Sequence, residues 1–114
     1  MNKEFIPYEQ ALELKELGFN EGCLGYHNID PYLPNPTFNL VKPFEHEWCL
    51  PAPLYQQAFR WFREKHGLHH VVEYDPIDKV YSSLVRYDYL EDLPTYEEAE
   101  LACLKKLIEI VKNK

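Results

Sequence analysis

The sequence predicts an α+β domain in the order α-β-β-α-β-β-α, with two hairpins forming a mostly antiparallel four-stranded sheet and three helices packed on it. Three observations predict it. Two segments open with proline and close with glycine, the asymmetry typical of helices. A third begins with a capping box. The stretches between them are β-compatible runs broken by turn residues. The length of 114 residues suits one hydrophobic core, so residues 1–114 are read as one domain.

The first helix is expected to start at Pro7, whose fixed φ and missing N–H suit the first helical position, and to stop at Gly18. Tyr8, Ala11, Leu12 and Leu14 share its loosely apolar face. Two strands follow, Cys23 to His27 and Thr37 to Val41, joined by a loop whose Pro31, Pro34 and Pro36 cannot continue a ladder. Pro51 and Pro53 then lead into the second helix, Leu54 to Lys65, with Gly67 after its last turn. At about 100° per residue, Leu54, Tyr55, Ala58, Phe59, Trp61 and Phe62 fill one arc, and Gln56, Gln57, Arg60, Arg63 and Glu64 fill the other.

The second pair of strands runs from His69 to Tyr74 and from Val80 to Tyr87. Between them Asp75-Pro76-Ile77-Asp78 has the residues of a type I turn. The third helix opens at Thr95-Tyr-Glu-Glu98, where the Thr95 hydroxyl and Glu98 carboxylate each satisfy an orphan backbone N–H, and runs to about Lys112.

Each helix begins with Tyr-x-x-Ala, at Tyr8, Tyr55 and Tyr96. The sequence therefore admits an αββ pseudo-repeat over 5–45 and 51–90, followed by a C-terminal helix over 95–112. Tyr and Ala three apart also occur on any packed helix face.

Three blocks carry a resemblance: Ile6-Pro-Tyr-Glu-Gln-Ala-Leu12 with Lys15-Glu-Leu-Gly-Phe19, the run Leu50 to Lys65, and Tyr96 to Lys106. Together they resemble a group of small uncharacterised proteins of Bacteroides-type bacteria and their phages, plasmids and integrated elements. The resemblance implies a mobile-element context and brings no activity, cofactor or catalytic residue with it.

Composition narrows the function. A net charge of −7 argues against ordinary nucleic-acid binding, which needs clustered Lys and Arg to displace counterions. It leaves room for an acidic nucleic-acid mimic, for which the carboxylates between Asp88 and Glu100 would stand in for phosphates, although such patterning usually marks a solvated face. Cys23, Cys49 and Cys103 are odd in number and lack paired spacing, as expected of reduced thiols in cytoplasm. No basic segment leads into an apolar run at the start, and nowhere do about 18 apolar residues stand together, so neither export nor membrane association is expected.

Chemistry-bearing motifs are sparse. His46-x-x-Cys49 and His66-x-x-His69 could offer four zinc ligands, or with Cys49 as nucleophile an enzyme or small-ligand site, but nothing strengthens either pair. His66 equally suits a helix C-terminus, and His69 the start of a strand. There is no GxGxxG, P-loop, GxSxG or HExxH, and the sequence implies neither a metal nor a cofactor.

Aromatic content favours a binding role. Nine Tyr and two Trp exceed the needs of a core this size, and amphipathic rings suit contacts that are partly dry and partly hydrogen-bonded. Tyr81, Ser83, Val85 and Tyr87 are expected on one strand face with Tyr89 beyond, while Tyr26 and Tyr32 flank the proline loop. The third helix has an apolar arc of roughly 200°, including Ile108, which one sheet cannot cover and a second copy of the chain could. The expected function is a small non-enzymatic interaction module, binding another protein or itself.

Overall fold

A computed structural model describes residues 2–28, 37–40 and 49–114. The chain is α+β; its described residues form three α-helices and two three-stranded antiparallel sheets in place of the expected single four-stranded sheet. It divides into two compact units, Met1–Gln57 and Ala58–Lys114.

In the first unit α1 spans Tyr8–Glu16. Pro7 is its N-cap, with an extended ψ of 160°, so the helix starts at Tyr8, one residue later than expected. The helix closes in a Schellman turn: Gly18 takes φ 103°, its N–H donates to the Lys15 carbonyl, and the Phe19 N–H donates to the Leu14 carbonyl. Leu14 and Phe19, the two ends of that turn, are both buried. Gln10, Ala11 and Leu14 face inward, while Leu12, expected on the apolar face, is exposed.

The first sheet has the order β2-β1-β3, from β1 at Gly25–Asn28, β2 at Thr37–Asn39 and β3 at Cys49–Ala52. The third strand is absent from the sequence expectation because Pro51 reads as a break. It is tolerated because β3 is an edge strand, where one missing donor costs little. Gly25 sits opposite Ala52, and a Cβ there would lie 2.6 Å from the Phe38 ring and 2.9 Å from the Phe5 ring. Those rings pack at 4.8 Å in the space a side chain would take. The expected Cys23 start is not strand, since β1 begins at Gly25, while the expected Val41 end and the proline loop lie outside the described residues.

Helix α2 spans Tyr55–His66. The expected arcs hold in large part, with Tyr55, Ala58, Phe59, Trp61 and Phe62 buried and Gln56, Arg60, Arg63 and Glu64 exposed, whereas Leu54 lies before the helix and it and Gln57 are half-buried. In the first turn the Gln57 amide donates to the Gly22 carbonyl at 2.9 Å and to Glu21 Oε1 at 3.3 Å. Gly67 follows at φ 64°.

The second unit holds a meander, β4 at His70–Asp75, β5 at Val80–Val85 and β6 at Asp88–Leu93, in that order across the sheet. Asp75 Oδ1 accepts the Ile77 and Asp78 N–H groups and so shapes the expected β4–β5 turn. The expected strand to Tyr87 instead stops at Val85, turns at Arg86 and Tyr87, and returns as β6. Helix α3, Tyr96–Lys112, packs against all three strands. Thr95 Oγ1 accepts the Glu98 N–H at 3.2 Å, which is half of the expected capping box. Ala99, Cys103, Leu104, Leu107 and Ile108 are buried beneath it.

The two αβββ runs differ in topology: the first strand of the first trio is central, and the second strand of the second.

Candidate interaction surface

The second sheet has two unlike faces. Side chains directly opposed across antiparallel strands share a face, so Tyr74, Tyr81 and Leu93 lie together, and so do Val71, Leu84 and Tyr89. Ser83 and Val85, which alternate with Leu84, are buried, and Tyr81 meets Tyr96 of α3 edge-on at 5.8 Å. The face of Tyr81, Ser83 and Val85 is therefore the one α3 covers. Cys103 on α3 lies 3.6 Å from the Leu84 carbonyl and 3.8 Å from that of Val71.

The other face carries a cross-strand row of Val71, Leu84 and Tyr89, with Val71 40% and Tyr89 59% exposed. Beside it runs a polar row, Glu73, Ser82 and Asp92, in which the Ser82 hydroxyl donates to Asp92 Oδ1 at 2.6 Å. A register shift at Ser83/Leu84 lets β6 bend between the two rows.

At the end of this face the β5–β6 turn places Arg86 at φ 55° and Tyr87 at φ 68°. Two successive positive φ values are the signature of a type I′ turn, which favours Asn and Gly because a Cβ is strained there. Tyr87 is 96% exposed, so no packing of its ring offsets that strain.

The candidate residues thus separate. Tyr87 caps the turn, Tyr89 sits on the open face, and Tyr81 turns under α3 to pack at 4.9 Å from Tyr74 and against Tyr96. The one shared face expected for Tyr81 and Tyr87 does not form, because the strand reverses between them. Tyr74 and Tyr96 join Tyr81 by register and by the start of α3, relations that the linear sequence does not display. Tyr26 is half-buried in β1 and Tyr32 lies outside the described residues. Ile108 is 2% exposed, packed inside the chain and not on its surface.

Among the candidates for chemistry, Cys49 is half-buried at the start of β3, His66 is half-buried at the end of α2, His69 is exposed and His46 lies outside the described residues. No three His, Cys, Asp or Glu side chains converge in a metal-ligating group among the described residues. Burial pushes the Cys103 thiol up to about 11, with Glu100 adding to it and the Leu84 backbone opposing. Burial and then Glu21 push Cys23 to about 11 as well. Both remain protonated at neutral pH and are poor nucleophiles.

Two inward histidines have structural roles. His27 Nε2 is 2.9 Å from the Ile6 carbonyl, which can only accept, so that nitrogen carries the proton; the ring meets Tyr8 and Phe38 edge-on. Burial lowers its pKa, and the Ile6 bond opposes this. His70 stacks on Phe59, and burial, then Arg63 and His69, lower its pKa to about 4.

Among the described residues no helix is long and apolar enough to cross a membrane. Comparison with family models, with curated proteins and with solved structures finds no match for the chain.

Proposed function

We propose that the chain is a non-enzymatic protein-interaction module whose second sheet receives a partner protein on the face opposite α3. The observation that carries this reading is the in-register row of Val71, Leu84 and Tyr89, left open beside a turn that holds Tyr87 outward at a cost in backbone strain. Aromatic residues next to aliphatic ones, rimmed by polar groups, have the composition of an interface centre.

Charge selects the kind of partner. Glu73 and Asp92 flank the apolar row, Asp88 and Glu91 lie on the same edge strand, and the chain carries a net −7. A second copy would bring like charge against like charge. A protein with an apolar contact ringed by Lys and Arg complements the surface, and such a role is compatible with the mobile-element context that the sequence resemblance implies.

A photo-crosslinking residue placed at Val71, with one at exposed Glu64 on α2 as control, tests this in the cells that make the protein. Any adduct specific to position 71 is then purified and titrated against the wild type and Tyr89→Ala. The expected result is a basic partner whose affinity falls about tenfold or more on Tyr89→Ala, as for an interface anchor, and falls with added salt. Equal labelling at both positions, or an adduct made only of two copies of this chain, would overturn the reading.

A further inference from the structure

We infer that the first unit contains a binding site for a small organic anion with an apolar body, in the cavity between the C-terminal end of α1 and β3. The cavity has a volume of about 450 Å³, within the range of small-molecule sites. Its floor is apolar: Ala11, Phe19 and Leu50 line it and are buried. Its mouth carries Lys15 and Asn20, both exposed.

The local fold explains the placement. Ala11 and Lys15 are four residues apart, so they stand one above the other on α1, with the smallest chiral side chain over the cavity and the charged one at its rim. The Schellman turn then swings Phe19 under the helix end and leaves Asn20 beside the opening. A Cβ built on Gly18 meets no atom within 4 Å, so the space next to this turn is open.

The polar groups at the mouth point to an anion. Both turn carbonyls, Leu14 and Lys15, are already taken by backbone N–H groups. The Lys15 ammonium has neither a hydrogen bond nor an ion pair among the described residues, in a chain whose acidic residues outnumber its basic ones. An uncommitted cation at the lip of an apolar recess suits a carboxylate or sulfonate whose hydrocarbon part fills the floor. Asn20 adds an amide donor at the same rim.

Two fluorophores that differ in one charged group test the inference: dansylglycine, which carries a carboxylate, and dansylamide, which does not. Titrated into the whole chain at low salt, dansylglycine should bind saturably at one site with blue-shifted emission, about tenfold more tightly than dansylamide, the worth of one good charge-assisted contact. Lys15→Met should erase that difference and leave dansylamide unchanged, while Ala11→Leu, which fills the recess, should weaken both. Circular dichroism and the melting temperature establish that each variant is folded; if Ala11→Leu is not, Lys15→Met decides alone. Absence of saturable binding, equal affinity of the wild type for both probes, or a charge preference that survives Lys15→Met would overturn the inference.

Discussion

The imidazole of His70 lies flat against the ring of Phe59, with centroids 3.6 Å apart and planes 21° from parallel. The stack joins the first strand of the second sheet to α2, and it makes that packing sensitive to acid. Burial, followed by Arg63 and His69, lowers the His70 pKa from 6.5 to about 4, so the folded chain holds the ring neutral where the unfolded chain protonates it. Stability therefore rises with pH across this window and falls as pH drops from about 6.5 towards 4. At about 1.4 kcal/mol per pKa unit the loss is at most about 3.5 kcal/mol, reduced by the partial exposure of the ring. His27 and His66 shift in the same direction. Urea denaturation at pH 7, 5.5 and 4.5 should show the fall, and His70→Phe, which keeps the stack, should flatten part of it. An equal slope in that variant would show that His70 contributes nothing to it.

Tyr87→Gly is expected to stabilise the fold. A φ of 68° is strained for tyrosine and free for glycine, and the exposed ring gives up no packing when removed. The gain should be up to about 1 kcal/mol, offset in part by the greater freedom of glycine in the unfolded chain. A rise in urea midpoint, together with weaker binding of the proposed partner, is the paired outcome expected where local strain serves recognition.

Gly25→Ala should destabilise the first unit by about 1 to 3 kcal/mol, the range for overpacking, because its methyl would meet the Phe38 and Phe5 rings at under 3 Å. Fluorescence-monitored denaturation reads the effect. The same substitution at Gly22, where no atom lies within 4 Å, is the control and should change stability by no more than about 0.5 kcal/mol.

Phe62 is fully buried on α2, and its replacement by alanine should cost about 3 to 5 kcal/mol, whereas Glu64→Ala on the exposed arc should stay within about 0.5 kcal/mol. Ile108→Asp should unfold the second unit and not merely dissociate copies, since the site is covered within one chain. Light scattering at micromolar concentration should find the wild type monomeric.

What the sequence makes legible is the helices, because their ends carry unambiguous chemistry: Gly18 and Gly67 adopt the positive φ their positions call for, and Thr95 caps α3. Two strands are illegible for different reasons. Pro51 disguises β3 as a break, since tolerance of proline depends on being at an edge, which only tertiary pairing decides. In β6, Asp88, Glu91 and Asp92 resemble the acidic approach to a helix, and the Arg86-Tyr87 turn lacks the Asn or Gly that announces a hairpin. The candidate interaction surface inherits that difficulty: once β5 is read through the turn, Tyr81 and Tyr87 fall on one face, and the row of Val71, Leu84 and Tyr89 cannot be drawn.

The acidic edge of β6 makes association of this chain a matter of ionic strength. An outermost strand with free backbone groups is a template for joining another chain, and repulsion between carboxylates along it is one way such joining is prevented. Dissolved salt screens that repulsion without touching the packing of the fold. The guard against strand addition is thus electrostatic, so this chain should associate through its edge more readily at high ionic strength than at low.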